Sequence, residues 1–286
     1  MSPVFRGIFT PLVTPITSDE CLDLSSLAQL VNFQVENGVG GLWAMGTTGE
    51  FASFDEIERE HAIRCVVESA HGRVPVIANI SDAATRLVLR HLRRAEEAGA
   101  AAVAATPPYY YPHSQSELLA HYRAIAASSA LPVFIYNIPQ TVRVSVGLQT
   151  AVTLAEEGSV AGIKDSQNDL EWFRELTLRL GERPFAAFAG TRHLIDAAVL
   201  AGAVGAIPSI ANIRPELCVQ IFNDAVGGDF VGARASQNQI IEIESRLRVV
   251  ARDGSRNAAT IGALKAELCR RGVIATAEVT QPLLPD

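Results

Sequence analysis

Of the 24 basic residues in this 286-residue chain, only two are lysines, Lys164 and Lys265. Lys164 closes the apolar run Val160-Ala161-Gly162-Ile163-Lys164, which reads as a buried strand. An amine there can lose its proton and attack a carbonyl carbon, whereas a guanidinium stays charged. Coding bias that swapped most lysines for arginine and left two by chance remains an alternative at this point. Tyr136 ends a second apolar run; its phenol is either a bonded core hydroxyl or a proton relay to a carbonyl adduct on Lys164. Thr47 and Thr48 lie in the glycine-flanked turn Gly46-Thr47-Thr48-Gly49-Glu50, just before a helix whose start is marked by Ser53-Phe54-Asp55-Glu56, a capping-box pattern. Backbone N–H groups and two hydroxyls in such a turn suit a small carboxylate; the alternative is two solvated threonines. Pro107-Pro108-Tyr109-Tyr110-Tyr111 reads as loop packing, a subunit contact or part of the site. Arg192 could bind a distal carboxylate or hydroxylated tail, or could be solvated.

Other chemistries lack their residues. His61, His71, His91, His113, His121 and His193 show no HxH or HExxH spacing and none pairs with a cysteine at ligand distance, so no metal site is expected. No Gly-x-Ser-x-Gly elbow supports a serine hydrolase. A net charge of −7 without a basic patch disfavours nucleic acid and anionic membrane surfaces as partners. The start of the chain lacks the apolar stretch of a signal peptide, no run is long enough to span a bilayer, and Cys21, Cys65, Cys218 and Cys269 are scattered. A cytoplasmic protein with reduced, mostly buried thiols is expected.

Positioning these residues requires a frame, and the chain repeats one. Apolar runs predict strands at Gly7–Thr10, Gly41–Met45, Val74–Asn79, Ala101–Ala105, Val133–Tyr136, Val160–Lys164, Phe185–Ala189 and Val204–Ile207. Helix-period segments separate them, most starts lying about 20 to 35 residues apart, one strand-plus-helix unit. The runs are continuous rather than alternating, as in strands buried on both faces. A hydrophobic fraction of 48% supports a sizeable core. The reading is an α/β fold, a (β/α)8 TIM barrel over residues 1–214, with a C-terminal helical extension over 215–286 that includes Val231–Val250 and Ala258–Arg271. An open doubly wound sheet is weaker, because Phe9-Thr10-Pro11-Leu12 stands where a phosphate-binding glycine turn would be. In a barrel, the candidate residues above fall at the C-terminal strand ends, around one mouth.

Together, Gly46-Thr47-Thr48-Gly49-Glu50, Pro108-Tyr109-Tyr110, Tyr136-Asn137-Ile138-Pro139, Gly162-Ile163-Lys164-Asp165 and Gly205-Ala206-Ile207 resemble the dihydrodipicolinate synthase / N-acetylneuraminate lyase family of pyruvate-dependent class I aldolases. The resemblance runs over essentially the whole chain. It implies a lysine imine with no metal or organic cofactor, and a homo-oligomer built as a dimer of dimers. Lys164 would carry the imine with pyruvate, while Thr48, with Gly46 in its loop, would hold the carboxylate. Tyr136, Thr47 and Tyr110 would relay protons, Tyr110 coming in many members from a neighbouring subunit. Gly190 and Ile207 would line the site through their backbones.

Departures narrow the expected substrate. Dihydrodipicolinate synthases carry an arginine two residues after the proline of Tyr-Asn-x-Pro; here that position is Thr141, with Arg143 two further on. Loss of a bidentate carboxylate partner is worth roughly a few kcal/mol. Sialic acid lyases usually have serine before threonine in the loop, and Asn79-Ile80-Ser81-Asp82 replaces the usual glycines after strand three. The Lys164-Asp165 pair is similar to members that cleave 2-keto-3-deoxy sugar acids. That class, for example 2-keto-3-deoxygluconate going to pyruvate and a hydroxyaldehyde, is the leading expectation. The alternatives are a 4-hydroxy-tetrahydrodipicolinate synthase anchored through Arg143 or Arg192, a keto-acid dehydratase on the same imine, or a non-catalytic binding protein.

Overall fold

The computed structural model describes residues 5–248 and 255–284. Eight parallel strands close into a barrel in sequence order: β1 (Gly7–Pro11), β2 (Gly41–Ala44), β3 (Val76–Asn79), β4 (Ala102–Ala105), β5 (Val133–Asn137), β6 (Gly162–Asp165), β7 (Ala186–Ala189) and β8 (Gly205–Ala206). Every expected strand is present, within two residues of its expected bounds. Around them lie α1 (Leu24–Glu36), α2 (Glu56–Ala70), α3 (Thr85–Glu97), α4 (Gln115–Ser128), the short α5 (Pro139–Val142), α6 (Leu148–Glu156), α7 (Leu170–Leu180) and α8 (Ile195–Leu200). Three more follow β8: α9 (Pro215–Gly227), α10 (Phe230–Arg248) and α11 (Arg256–Arg270). The α9 helix packs against α8 and β1, in the place of the helix after the eighth strand, so residue 214 falls between β8 and that helix. Val249 and Val250 of the expected helix lie outside the described residues.

Strand alternation explains the continuous apolar runs. Phe134 and Tyr136 of β5 point inward, with Phe9, Trp43, Ile77, Phe188 and Ile207, to form a core inside the barrel. Val133 and Ile135 belong instead to the larger core between strands and helices. Lys164 pairs in register with Tyr136 on one side and Phe188 on the other, so it shares their inward face. Below it, a side chain at Gly162 would start 2.4 Å from the Phe134 ring; only glycine leaves that ring room to floor the site.

Two local expectations are corrected. The capping box at the start of α2 is built by Asp55, which accepts from the N–H groups of Ile57 and Glu58, with Glu58 reaching back to the Asp55 N–H. It is not built by Ser53 and Glu56. Phe51–Ser53 form their own 3-10 turn, which moves the helix start two residues on, and Glu56 pairs with Arg90 and Arg94. Of the four thiols only Cys218 is buried; Cys21 is exposed, and Cys65 and Cys269 are intermediate. No described helix is long and apolar enough to cross a membrane.

Candidate active site

The C-terminal strand ends open on a cavity of about 450 Å3. Lys164 lines its floor and is only 4% exposed. Its Nζ lies 4.2 Å from the centre of the Tyr136 ring and 4.9 Å from that of the Trp43 indole, two rings packed edge-to-face. Burial, with no opposing carboxylate beside it among the described residues, pulls its pKa from 10.5 down to about 7. A large share of the amine is therefore neutral and nucleophilic near pH 7.

The Tyr136 hydroxyl lies 3.1 Å from Thr47 Oγ1. Burial pushes its pKa up to about 12, against hydrogen bonds from Thr47 and Ser166 that favour the phenolate. The phenol thus rests protonated, ready to give and regain a proton. Thr47 and Thr48 are placed by two successive turns, Gly49 N–H to Gly46 C=O at 3.0 Å and Glu50 N–H to Thr47 C=O at 3.1 Å. The turn is tied to the loop after β1 by Thr14, whose hydroxyl donates to the Gly49 carbonyl at 2.8 Å. Among the described residues, these turns use the N–H groups of Gly49 and Glu50, which leaves those of Thr47 and Thr48 for an anion.

The expected residues Lys164, Tyr136, Thr47, Thr48, Gly190, Ile207, Thr141 and Arg192 all line this one cavity. Gly190 has no room for a side chain, since a Cβ would lie 2.0 Å from Ser166 Oγ. Gly46 stands behind the hydroxyls, its carbonyl closing the turn and its Cα facing the edge of Trp43. Tyr110 is not brought to Lys164. It is 87% exposed, in left-handed backbone at φ +86°, packs edge-on against Tyr111 and lines an adjoining cavity of about 740 Å3. Arg143 also faces that second cavity, and Thr141 lies where the two meet. Arg192 is paired with Glu244 on α10, which also contacts His193. Gln237 on α10 grips the same loop, accepting from the Ile195 N–H and donating to the Arg192 carbonyl.

Several site residues escaped the sequence reading. Trp43 is buried against Lys164, its ring centre 4.9 Å from Nζ, and its only signal was an inward position on β2. Ser166, two residues beyond Lys164 and so on the same face, lines the same cavity. Asn257, Thr260 and Ile261 reach the mouth from α11, far along the chain and without a local signal. Asp165 faces away from Lys164 and accepts from Asn137 Nδ2 at 2.7 Å; burial raises its pKa to about 7. No group of three or more histidine, cysteine or acidic side chains is arranged to hold a metal ion among the described residues.

A sequence profile described as the dihydrodipicolinate synthetase family matches residues 4–286. An uncharacterized DapA-like lyase of Halobacterium salinarum is 34% identical over 243 residues, covering 85% of this chain and 79% of that protein. Among solved structures, a dihydrodipicolinate synthase from Bacteroides thetaiotaomicron superposes with a TM-score of 0.93 at 31% identity, covering 100% of this chain and 95% of that one. YagE from E. coli K12, a prophage protein of the dihydrodipicolinic acid synthase family solved in complex with pyruvate, gives 0.91 at 26% identity, covering 99% and 93%.

Proposed function

The chain belongs to the dihydrodipicolinate synthetase family of pyruvate-dependent carbon–carbon lyases, and on that premise we propose that it cleaves or forms a 2-keto-3-deoxy sugar acid through an imine on Lys164. The neutral Lys164 amine adds to C2 of the keto acid, and the resulting hydroxyl leaves as water with a proton from Tyr136, giving an iminium and a phenolate that is ready to take up a proton. The C3–C4 electrons then flow to the iminium nitrogen as the C4 hydroxyl gives its proton to the Tyr136–Thr47 relay. An aldehyde departs and an enamine remains. Protonation at C3 and hydrolysis release pyruvate and restore the amine. Thr48 and the turn N–H groups hold the carboxylate throughout. The working assembly is a homo-oligomer in which Tyr110 of a neighbouring copy completes the relay.

The observation that carries the substrate class is the far wall of the Lys164 cavity. Gln140, Thr141, Gln167, Asn168, Asn257 and Thr260 offer neutral donors and acceptors, suited to a chain of hydroxyls. Arg192 is already paired with Glu244 and Arg143 faces the neighbouring cavity; Arg256, exposed at the start of α11, is the remaining arginine on this cavity and the anchor that a carboxylate-bearing aldehyde would use. The competing reading, condensation of pyruvate with aspartate semialdehyde, is favoured by the name of the solved relative from B. thetaiotaomicron. A panel of keto-deoxy sugar acids assayed for pyruvate release, beside pyruvate plus aspartate semialdehyde, decides between them. Turnover confined to the semialdehyde would overturn the sugar-acid reading; a keto-acid product without pyruvate would mark a dehydratase.

A further inference from the structure

The second lysine has no part in that chemistry, yet it is as deeply buried as the first. Lys265 on α11 and Glu50 both have fully buried side chains, with Nζ 2.6 Å from Glu50 Oε1. The ammonium also donates to the Glu278 carbonyl at 2.6 Å. The other carboxylate oxygen of Glu50 accepts from the Thr280 N–H at 2.7 Å and from the Thr280 hydroxyl at 2.9 Å. Thr280 Oγ1 in turn lies 2.9 Å from Ser53 Oγ. Glu50 closes the turn that presents Thr47 and Thr48, and its own backbone is left-handed at φ +58°, uncommon for a residue with a Cβ. One buried carboxylate therefore joins the carboxylate-binding turn to a helix and a tail more than 200 residues away.

The chemistry explains why a lysine persists in a chain that otherwise uses arginine. The slot offers the ammonium two acceptors, Glu50 Oε1 and the Glu278 carbonyl, and no solvent. A guanidinium would bring five N–H donors in a rigid fork and leave most of them unmet. A buried ion pair also adds little net stability over apolar residues of the same volume, so stability alone does not account for it. The same helix places Asn257, Thr260 and Ile261 on the Lys164 cavity.

Resting on the reading that the Thr47–Thr48 turn holds the pyruvate carboxylate, we infer that Glu50, Lys265 and Thr280 are positioning residues that clamp this turn to the C-terminal segment. The test uses the full chain, pyruvate and borohydride. The rate of adduct formation is measured against pyruvate concentration, with thermal unfolding in parallel. In Glu50→Gln/Lys265→Met both charges are removed together, so neither is left buried alone. The half-saturating pyruvate concentration rises roughly tenfold, the worth of about one charge-assisted hydrogen bond, while the limiting rate, set by Lys164, stays within about twofold. A folded double variant with wild-type half-saturation overturns the clamp. Thr280→Val keeps the ion pair and deletes the hydroxyl's contacts with Glu50 and Ser53; it shifts half-saturation roughly threefold, and an unchanged value overturns the clamp even if the double variant does not fold. Absence of any adduct in the wild-type protein refutes the functional reading itself, a result distinct from either variant outcome.

Discussion

Replacing Lys164 with methionine should abolish turnover and make the protein more stable, by an amount that depends on pH. Lys164 sits against the Tyr136 and Trp43 rings, where its ammonium is poorly solvated and its pKa falls from 10.5 to about 7. The folded-state pKa lies below the unfolded one, so the folded protein binds the proton less well. The resulting penalty is complete below pH 7, shrinks as pH rises from about 7 to 10.5, and vanishes above that. At 1.36 kcal/mol per unit, its ceiling is roughly 5 kcal/mol. Water entering from the mouth reduces it, and about 1–3 kcal/mol is the expected gain. Methionine keeps the length and adds sulfur–aromatic contact. For a chain of this size the Tm should rise by several degrees at pH 6.5. Differential scanning calorimetry of both proteins from pH 6 to 10.5 measures it. A variant no more stable than wild type at pH 6.5, or one whose advantage is the same at every pH, would show that Lys164 is not held in a desolvated site.

Tyr136→Phe keeps the ring that covers Lys164 and removes only the hydroxyl 3.1 Å from Thr47. Turnover should fall about 10²- to 10⁴-fold while stability changes by no more than about 1 kcal/mol; a loss below tenfold in steady-state pyruvate release rules the phenol out as the relay. Thr141→Arg should raise kcat/KM for an aldehyde bearing a carboxylate, relative to a neutral hydroxyaldehyde, by roughly tenfold or more. No change in that ratio would mean residue 141 does not face the acceptor.

The barrel was legible because each strand is short, buried on both faces and followed by a helix, so the apolar runs marked strands without ambiguity. The cluster around Lys164 was legible for a related reason: Thr47, Tyr136 and Lys164 sit at strand ends, and the barrel turns those ends into one mouth. What the sequence hid depends on contacts distant in the chain. Trp43 reads as an ordinary core residue until the barrel closes and sets it over Lys164. The pairing of Arg192 with Glu244 and of Glu50 with Lys265 joins residues 52 and 215 positions apart, which no local pattern encodes. Tyr110 was expected in the relay, coming in many family members from a neighbouring subunit; within its own chain the loop after β4 carries it outward, away from the Lys164 cavity. The capping box slipped by two residues because the 3-10 turn at Phe51–Ser53 competes for the same stretch.

Reductive trapping tests the central claim most directly. Incubation with pyruvate and borohydride, followed by digestion and mass spectrometry, should place one reduced pyruvate adduct on the Lys164 peptide. The initial trapping rate at low pyruvate should rise with pH through about 7, as the amine loses its proton. Lys265, held between Glu50 and the Glu278 carbonyl, should stay unmodified. An adduct found only on Lys265 or the N-terminal amine, or none at all, would contradict imine catalysis at Lys164.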